Sequence, residues 1–448
     1  MRIPLRGRFT ATAAAALSLA MAVTLGAQAA AVGTDAAPDT RTTAEEIPGV
    51  YEVRGVSSAT QRSVLAAHGV SIDAVDDHSV TVTADKATAK RLRSMGYLLD
   101  EIPQAVPDAL PQDASGGGDF SVTSTPSQYT SYAQMTATVN SLVSRHPNLM
   151  TRQVIGRSHQ GREIIAVKMS NNARVDHNRP EVLFSHNMHA REHLTTEMAL
   201  YLMNEFATGY GQDSRITNMM NTREIWIIPT LNPDGKVWDQ DSGTFRNWRK
   251  NRQPNSGSTA IGTDINRNFA YLWGCCGGSS TNPASDTYRG PSAESAPETR
   301  VLTNFVRSRV IGGRQQITAH IDFHTYSELI LWPFGYTYND TATGLNQDQH
   351  NVFATVGRQM AASNGYRPQQ SSDLYITDGS ISDWMWGNQR IWSYTFEMYP
   401  RTASQGGFYP PGSVINRETA RNREAVLILL ENADCMYRSI GKPQLCTT

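Results

Sequence analysis

Residues 181–198 read EVLFSHNMHAREHLTTEM. The first five form a short apolar run with no helical period, the pattern of a buried strand. A polar turn follows. Leu194, Met198, Leu202 and Phe206 then recur every four positions, which gives a helix one apolar face. Strand, tight turn and helix are the unit of an α/β sheet. Three further runs repeat the opening: EIWIIPT from Glu224, ITAHIDF from Ile317 and IWSYTF from Ile391. The predicted fold is α/β: a mixed, mostly parallel sheet with helices on both faces.

In such sheets ligands gather beyond the C-terminal strand ends. Here every run leads into reactive side chains. The first leads to His186–Glu192, the second to Asn232-Pro233-Asp234-Gly235, the third to His324 and the fourth to Glu397. His189 and Glu192 stand three apart, so a tight turn can aim both inward, and His324 can supply a third donor. A catalytic zinc takes three protein ligands and keeps one position open, and two histidines with a glutamate are a recurring set. A competing pattern uses His189 and His193 as ligands with Glu192 as base. It requires a further acidic ligand downstream. No glutamate occurs between Glu224 and Glu294, Asp264 is the closest substitute, and His324 and Glu397 would have no role.

The chain has 448 residues and a formal net charge of −1, so bulk electrostatics favour neither nucleic acid nor an anionic membrane. Residues 1–29 read as an export signal. Arg2, Arg6 and Arg8 precede an alanine-rich run, and Ala27-Gln28-Ala29 fits a cleavage site. The mature chain is therefore expected outside the cell. Residues 30–48 are polar and expected to be disordered. Residues 49–102 read as a small α+β propeptide domain: strands VYEVRGV, SVTVTA and LLDEI around two helices that stop at Gly69 and Gly96. Residues 103–118, rich in proline and ending in three glycines, read as an exposed linker open to activation cleavage. Residues 119–448 form the catalytic domain, and the arrangement suggests a zymogen. In an exported chain, Cys435 is expected to bond Cys446, with Cys275 and Cys276 either bridged or open.

In chain order, HAREH, NPDG, FRNWRKNR, DINRNF, HTYSE, DLYITDGSISDW and YTFEMYP span residues 189–400. Together they resemble the M14 family of zinc carboxypeptidases, especially secreted bacterial members of mixed specificity. The likeness covers roughly residues 120–435, and the small domain resembles the family's activation segment more weakly. It implies one zinc held by His189, Glu192 and His324, with Asp264 accepting from the His189 ring. It implies Glu397 as general base and later acid, and Arg249 as the group that polarises the scissile carbonyl. Asn266, Arg267 and Tyr375 would grip the substrate's terminal carboxylate. These types suit the chemistry independently: an activated water needs a base, an oxyanion needs fixed positive charge, and a carboxylate matches an arginine fork.

By the same likeness, Ser380 and Ser382 lie in the pocket for the terminal side chain. Both are neutral, so apolar and aromatic C-terminal residues are expected to be preferred over basic ones, unless Asp378 faces the pocket. Partners are then peptide C-termini and an activating protease, with no nucleic acid and no membrane, and a monomer is expected. Two other functions stay open: a cell-wall peptide amidase of the same family and an inactive binding module. Calcium is an option that no motif supports.

Overall fold

The computed structural model describes residues 47–103, 129–240 and 243–446. The readings on residues 1–29, on the linker and on most of the 30–48 segment lie outside them. Eight strands build the central sheet: β5 (Met150–Arg157), β6 (Glu163–Met169), β7 (Glu181–His186), β8 (Glu224–Ile228), β11 (Ile317–Thr325), β12 (Leu329–Trp332), β13 (Arg367–Gln370) and β14 (Trp392–Met398). Their order is β13-β12-β14-β11-β7-β8-β6-β5. The four runs singled out in the sequence are its four adjacent central strands, β14-β11-β7-β8, and each neighbouring pair is parallel. Their C-terminal ends therefore share one edge. The flanking pairs β12–β14, β6–β8 and β5–β6 are antiparallel, which makes the sheet mixed. A two-residue hairpin, β9 (Val310–Ile311) and β10 (Arg314–Gln315), precedes β11.

Side chains alternate between two cores, as the strand period of two requires. Val182, Phe184, Ile225, Ile227, Ile321 and Phe323 face one; Leu183, Trp226, Ile228 and Ile317 face the other. Helix His193–Gly209 lays Leu194, Met198, Leu202 and Phe206 on the first core. Helix Tyr132–Arg145 packs on the same core and opens with the Ser131/Gln134 capping box. Helices Pro297–Ser308 and Ile381–Gln389 cover the second. The C-terminal segment is two helices, Ile415–Ala420 and Arg423–Asn432. Disulfides join Cys435 to Cys446 and Cys275 to Cys276. Among the described residues no helix is long and apolar enough to cross a membrane.

Residues 47–103 carry a second, antiparallel sheet of order β2-β3-β1-β4, from β1 (Gly49–Arg54), β2 (Ser71–Val75), β3 (Ser79–Ala84) and β4 (Leu98–Glu101). Two helices, Ala59–Ala67 capped by Ser58 and Lys86–Ser94 capped by Asp85, complete it. Strand β2 is the element that the hydrophobic pattern did not announce. Its centre carries a polar residue, Asp73, and it is buried against the larger part of the chain.

Candidate metal centre and peptide cleft

The turn after β7 is tied by one side chain. Asn187 Nδ2 donates to the carbonyls of His189 (3.1 Å) and Ala190 (3.2 Å), and the Glu192 amide donates to the His189 carbonyl (3.2 Å). Glu192 is the N-cap of the following helix, yet its carboxylate makes no capping bond, so it remains available to the cleft. From β11 comes His324, whose backbone partner on β14 is Glu397. Sheet register therefore sets His324 and Glu397 side by side on one face.

Three donors converge. His189 Nδ1 lies 2.8 Å from Glu192 Oε1, His324 Nδ1 lies 2.9 Å from Glu192 Oε2, and the two imidazole Nδ1 atoms are 3.0 Å apart. One atom from each residue fits within 4.8 Å of the others, close enough to hold a metal ion. The outer nitrogens are spoken for: His189 Nε2 is 3.2 Å from Asp264 Oδ1 and His324 Nε2 is 2.5 Å from Asp322 Oδ2. Each Nε2 donates its proton to a carboxylate, which leaves an Nδ1 lone pair directed inward. Two such lone pairs face each other beside a carboxylate, an arrangement that asks for a cation. The electrostatics agree. Burial alone would lower His324, but Asp322 and Glu192 raise it well above the histidine range. The donor set therefore fits zinc.

Asp264 serves two neighbours. Besides His189, its Oδ2 accepts from Arg249 Nε (3.1 Å) and Nη2 (3.0 Å). Burial opposes the charge on Asp264, yet Arg249 and His189 hold it well below the usual carboxylate range. Arg267 is buried and clamped from three sides: Nε donates to Gly278 O (3.0 Å), Nη1 to Asn266 O (2.8 Å) and Nη2 to Tyr375 Oη (3.1 Å). Gly379, at φ +65°, lets this loop approach: a Cβ there would sit 2.4 Å from the Arg267 carbonyl oxygen. Glu397 is half-buried. Burial and the charge of Glu192 raise it to about 8, against the opposing pull of His324 and Arg249.

His189, Glu192, Arg249, Asn266, Arg267, Tyr375, Ser380, Ser382 and Glu397 all line one cavity of about 70 Å³. His324 and Asp264 stand behind its wall. Ser380 Oγ also caps the helix that carries Ser382, accepting from the Asp383 amide at 3.3 Å. Asp378 does not line the cavity. It is fully buried and accepts from the amides of Cys276 (3.1 Å) and Gly278 (2.9 Å) and from the Ser279 hydroxyl.

His186, His193 and His320 are all fully buried. His193 Nε2 meets Asp239 (2.7 Å) and its Nδ1 meets Lys236 Nζ (3.0 Å), so it faces away from the three donors. That removes the two-histidine helical pattern.

Four participants escaped the sequence reading. Asp322, Ser185 and Arg191 are buried at the site, and Asp73 reaches the cavity from the small sheet. Asp322 had a local signal, since it lies two positions before His324 and shares its face. Arg191 ion-pairs with Asp73 (3.1 Å) and stacks over Phe408, 3.9 Å from the ring centre.

A family model described as zinc carboxypeptidase matches residues 135–425. The chain belongs to the zinc carboxypeptidase family. It is 48% identical over 434 residues to a zinc carboxypeptidase from Saccharothrix mutabilis subsp. capreolus, covering 94% of this chain and 98% of that one. It is 31% identical to carboxypeptidase B of Homo sapiens, over 64% of this chain and 66% of the relative. In fold it resembles the crystal structure of carboxypeptidase A from Helicoverpa armigera, with a TM-score of 0.69, 23% identity, and coverage of 87% of this chain and 98% of that one. As a family member, the protein is a zinc-dependent peptidase. Calcium gains no support.

Proposed function

We propose that the protein is an exported metallocarboxypeptidase, made as a zymogen, with zinc held by His189, Glu192 and His324. The observation that carries this reading is the single cavity that gathers two metal donors, Glu397 and three cationic or phenolic anchors. Zinc bound there would act as a Lewis acid and lower the pKa of a coordinated water to about 7. A cation at the neighbouring donors would favour the ionised form of Glu397, which takes the proton from the attacking water on its carboxylate oxygen and later returns it to the leaving amine nitrogen. Arg249, aligned by Asp264, meets the negative charge that grows on the scissile carbonyl oxygen. Arg267, with Asn266 and Tyr375, binds the substrate's terminal carboxylate. An internal peptide bond offers no such anion, so cleavage is confined to the C-terminal residue.

The terminal side chain enters a neutral pocket that includes Thr377, Ser380, Ser382 and Thr395. Asp378 is turned away from it, so lysine or arginine would gain no fixed partner. Apolar and aromatic residues are the preferred class.

The zymogen reading rests on the small sheet. Ile72 and Asp73 of β2 line the same cavity. Tyr375, a carboxylate anchor, packs into the small sheet's core. Arg62 donates to the carbonyls of Leu374 (2.6 Å) and Asp373 (2.8 Å), and Ser327 Oγ donates to Asp73 O (2.9 Å). A peptide cannot reach the donors while β2 stays there. Cleavage within residues 103–118 would free it.

One experiment tests the whole reading: metal content and release of C-terminal residues, measured on the intact and the processed chain, with and without chelator. The expected result is one zinc per chain, activity after processing only, and faster release of Phe than of Arg. Full activity after complete metal removal overturns it.

A further inference from the structure

The zinc donors are the visible end of a longer buried structure. His324 Nε2 donates to Asp322 Oδ2 at 2.5 Å. The other oxygen of Asp322 accepts from Ser185 Oγ, also at 2.5 Å. Ser185 Oγ lies 2.8 Å from His320 Nε2, and His320 Nδ1 lies 2.8 Å from Ser393 Oγ. The hydroxyls of Ser393 and Ser382 are 3.2 Å apart, and those of Ser382 and Thr395 2.9 Å. Ser382 and Thr395 line the cavity; Ser185, His320, Asp322 and Ser393 are fully buried. These contacts run from the side-chain pocket to His324 through the second core face.

Their direction follows from their ends. A carboxylate only accepts, so Ser185 gives its proton to Asp322. The Ser185 oxygen must then accept from His320 Nε2. Burial lowers His320 to about 4, so the ring is neutral with a single proton. Its Nδ1 consequently accepts from Ser393. Ser393 also stands as donor to Ser382, so its one proton is shared and the head-to-tail run ends at Ser393. From Ser393 inward the ring and hydroxyl protons point toward Asp322. Bonds aligned head to tail in a low-dielectric interior polarise one another. Two features are absent from an ordinary packing cluster: each member is satisfied, and the alignment fixes one tautomer at each imidazole.

We infer that His320 and Ser185 are positioning residues that fix Asp322, and through it the ring plane and tautomer of His324. It rests on the assignment of zinc to His189, Glu192 and His324.

Zinc affinity of the full-length chain, measured by chelator competition, reads the relay without reference to turnover. Ser185→Ala is expected to weaken zinc binding by about 10- to 100-fold, the range of outer hydrogen-bond partners of a ligating histidine. Ser185→Thr, which keeps the hydroxyl, restores it. If Ser185→Ala fails to fold, His320→Gln interrupts the same path. Unchanged affinity in Ser185→Ala overturns the relay while the zinc site stands. A wild-type chain that holds no zinc, or whose zinc survives loss of His324, overturns the site assignment instead.

Discussion

His189 and His193 stand one helical turn apart in the sequence, and both are buried. Both give an Nε2 to an aspartate: Asp264 for His189 and Asp239 for His193. They differ at the other ring nitrogen. His189 Nδ1 faces Glu192 and His324, whereas His193 Nδ1 is met by Lys236 Nζ. A cation already sits where a metal would have to be. Tyr409 Oη donates to Asp239, and the Trp248 amide donates to it at 2.7 Å, so the second cluster is closed on every side. A histidine next to an aspartate is thus not enough to make a ligand; what faces the free nitrogen decides.

Breaking each side of this pair should give opposite phenotypes. His189→Gln is expected to lose zinc and to cut C-terminal release by more than about 1000-fold, since the activated water goes with the metal. His193→Gln should keep one zinc per chain; metal analysis of the two variants side by side decides. Asp239→Ala leaves the buried donors of His193, Tyr409 and the Trp248 amide without their acceptor, which costs about 1–3 kcal/mol of stability for each. Urea unfolding should register that loss, with zinc content unchanged. Arg267→Lys sharpens the contrast between anchoring and catalysis. One compact ammonium cannot reproduce the fork, so KM for a free C-terminus should rise by roughly 10- to 100-fold, corresponding to about 1.5–3 kcal/mol for a charged hydrogen bond. Steady-state kinetics separate this from an effect on kcat.

The smallest effect concerns acid. Burial lowers His186 to about 3 and His193 and His320 to about 4. Below pH 6.5 the unfolded chain binds protons that the folded chain refuses. These histidines therefore contribute stability above that pH, and it is lost as pH falls toward 4. Each contributes about 1.4 kcal/mol per pH unit. His186 stacks on Phe323 at 4.8 Å, so His186→Phe keeps the shape. The stability difference between pH 7 and pH 5 should shrink by about 2 kcal/mol in that variant. An undiminished difference in urea titrations would show that His186 charges freely in the folded state.

Much of this was legible in the sequence because it is written in strong periodicities. The four apolar runs became the four central parallel strands, and their polar ends became the cleft. Asp264 was found only through resemblance to relatives, since nothing in its own neighbourhood marks it. Strand β2 was missed because Ser71 and Asp73 dilute its apolar pattern, and its burial comes from partners far along the chain. Arg191 was passed over for a similar reason. A charged residue in a polar turn reads as solvated, until Asp73, 118 residues away, neutralises it. Ser185 and His320 meet across 135 residues, a pairing that spacing alone cannot express.

The register of the central sheet carries one more implication. His320, Asp322 and His324 alternate along β11, opposite Ser393, Thr395 and Glu397 on β14. Ile321 and Phe323 fill the intervening positions and point into oil. A single inserted or deleted residue early in β11 would exchange the two sets, sending imidazoles into grease and rings into the catalytic chamber. Such an indel leaves no halfway enzyme. Evolution on this strand must proceed by substitution, while length changes are confined to the loops beyond its tips.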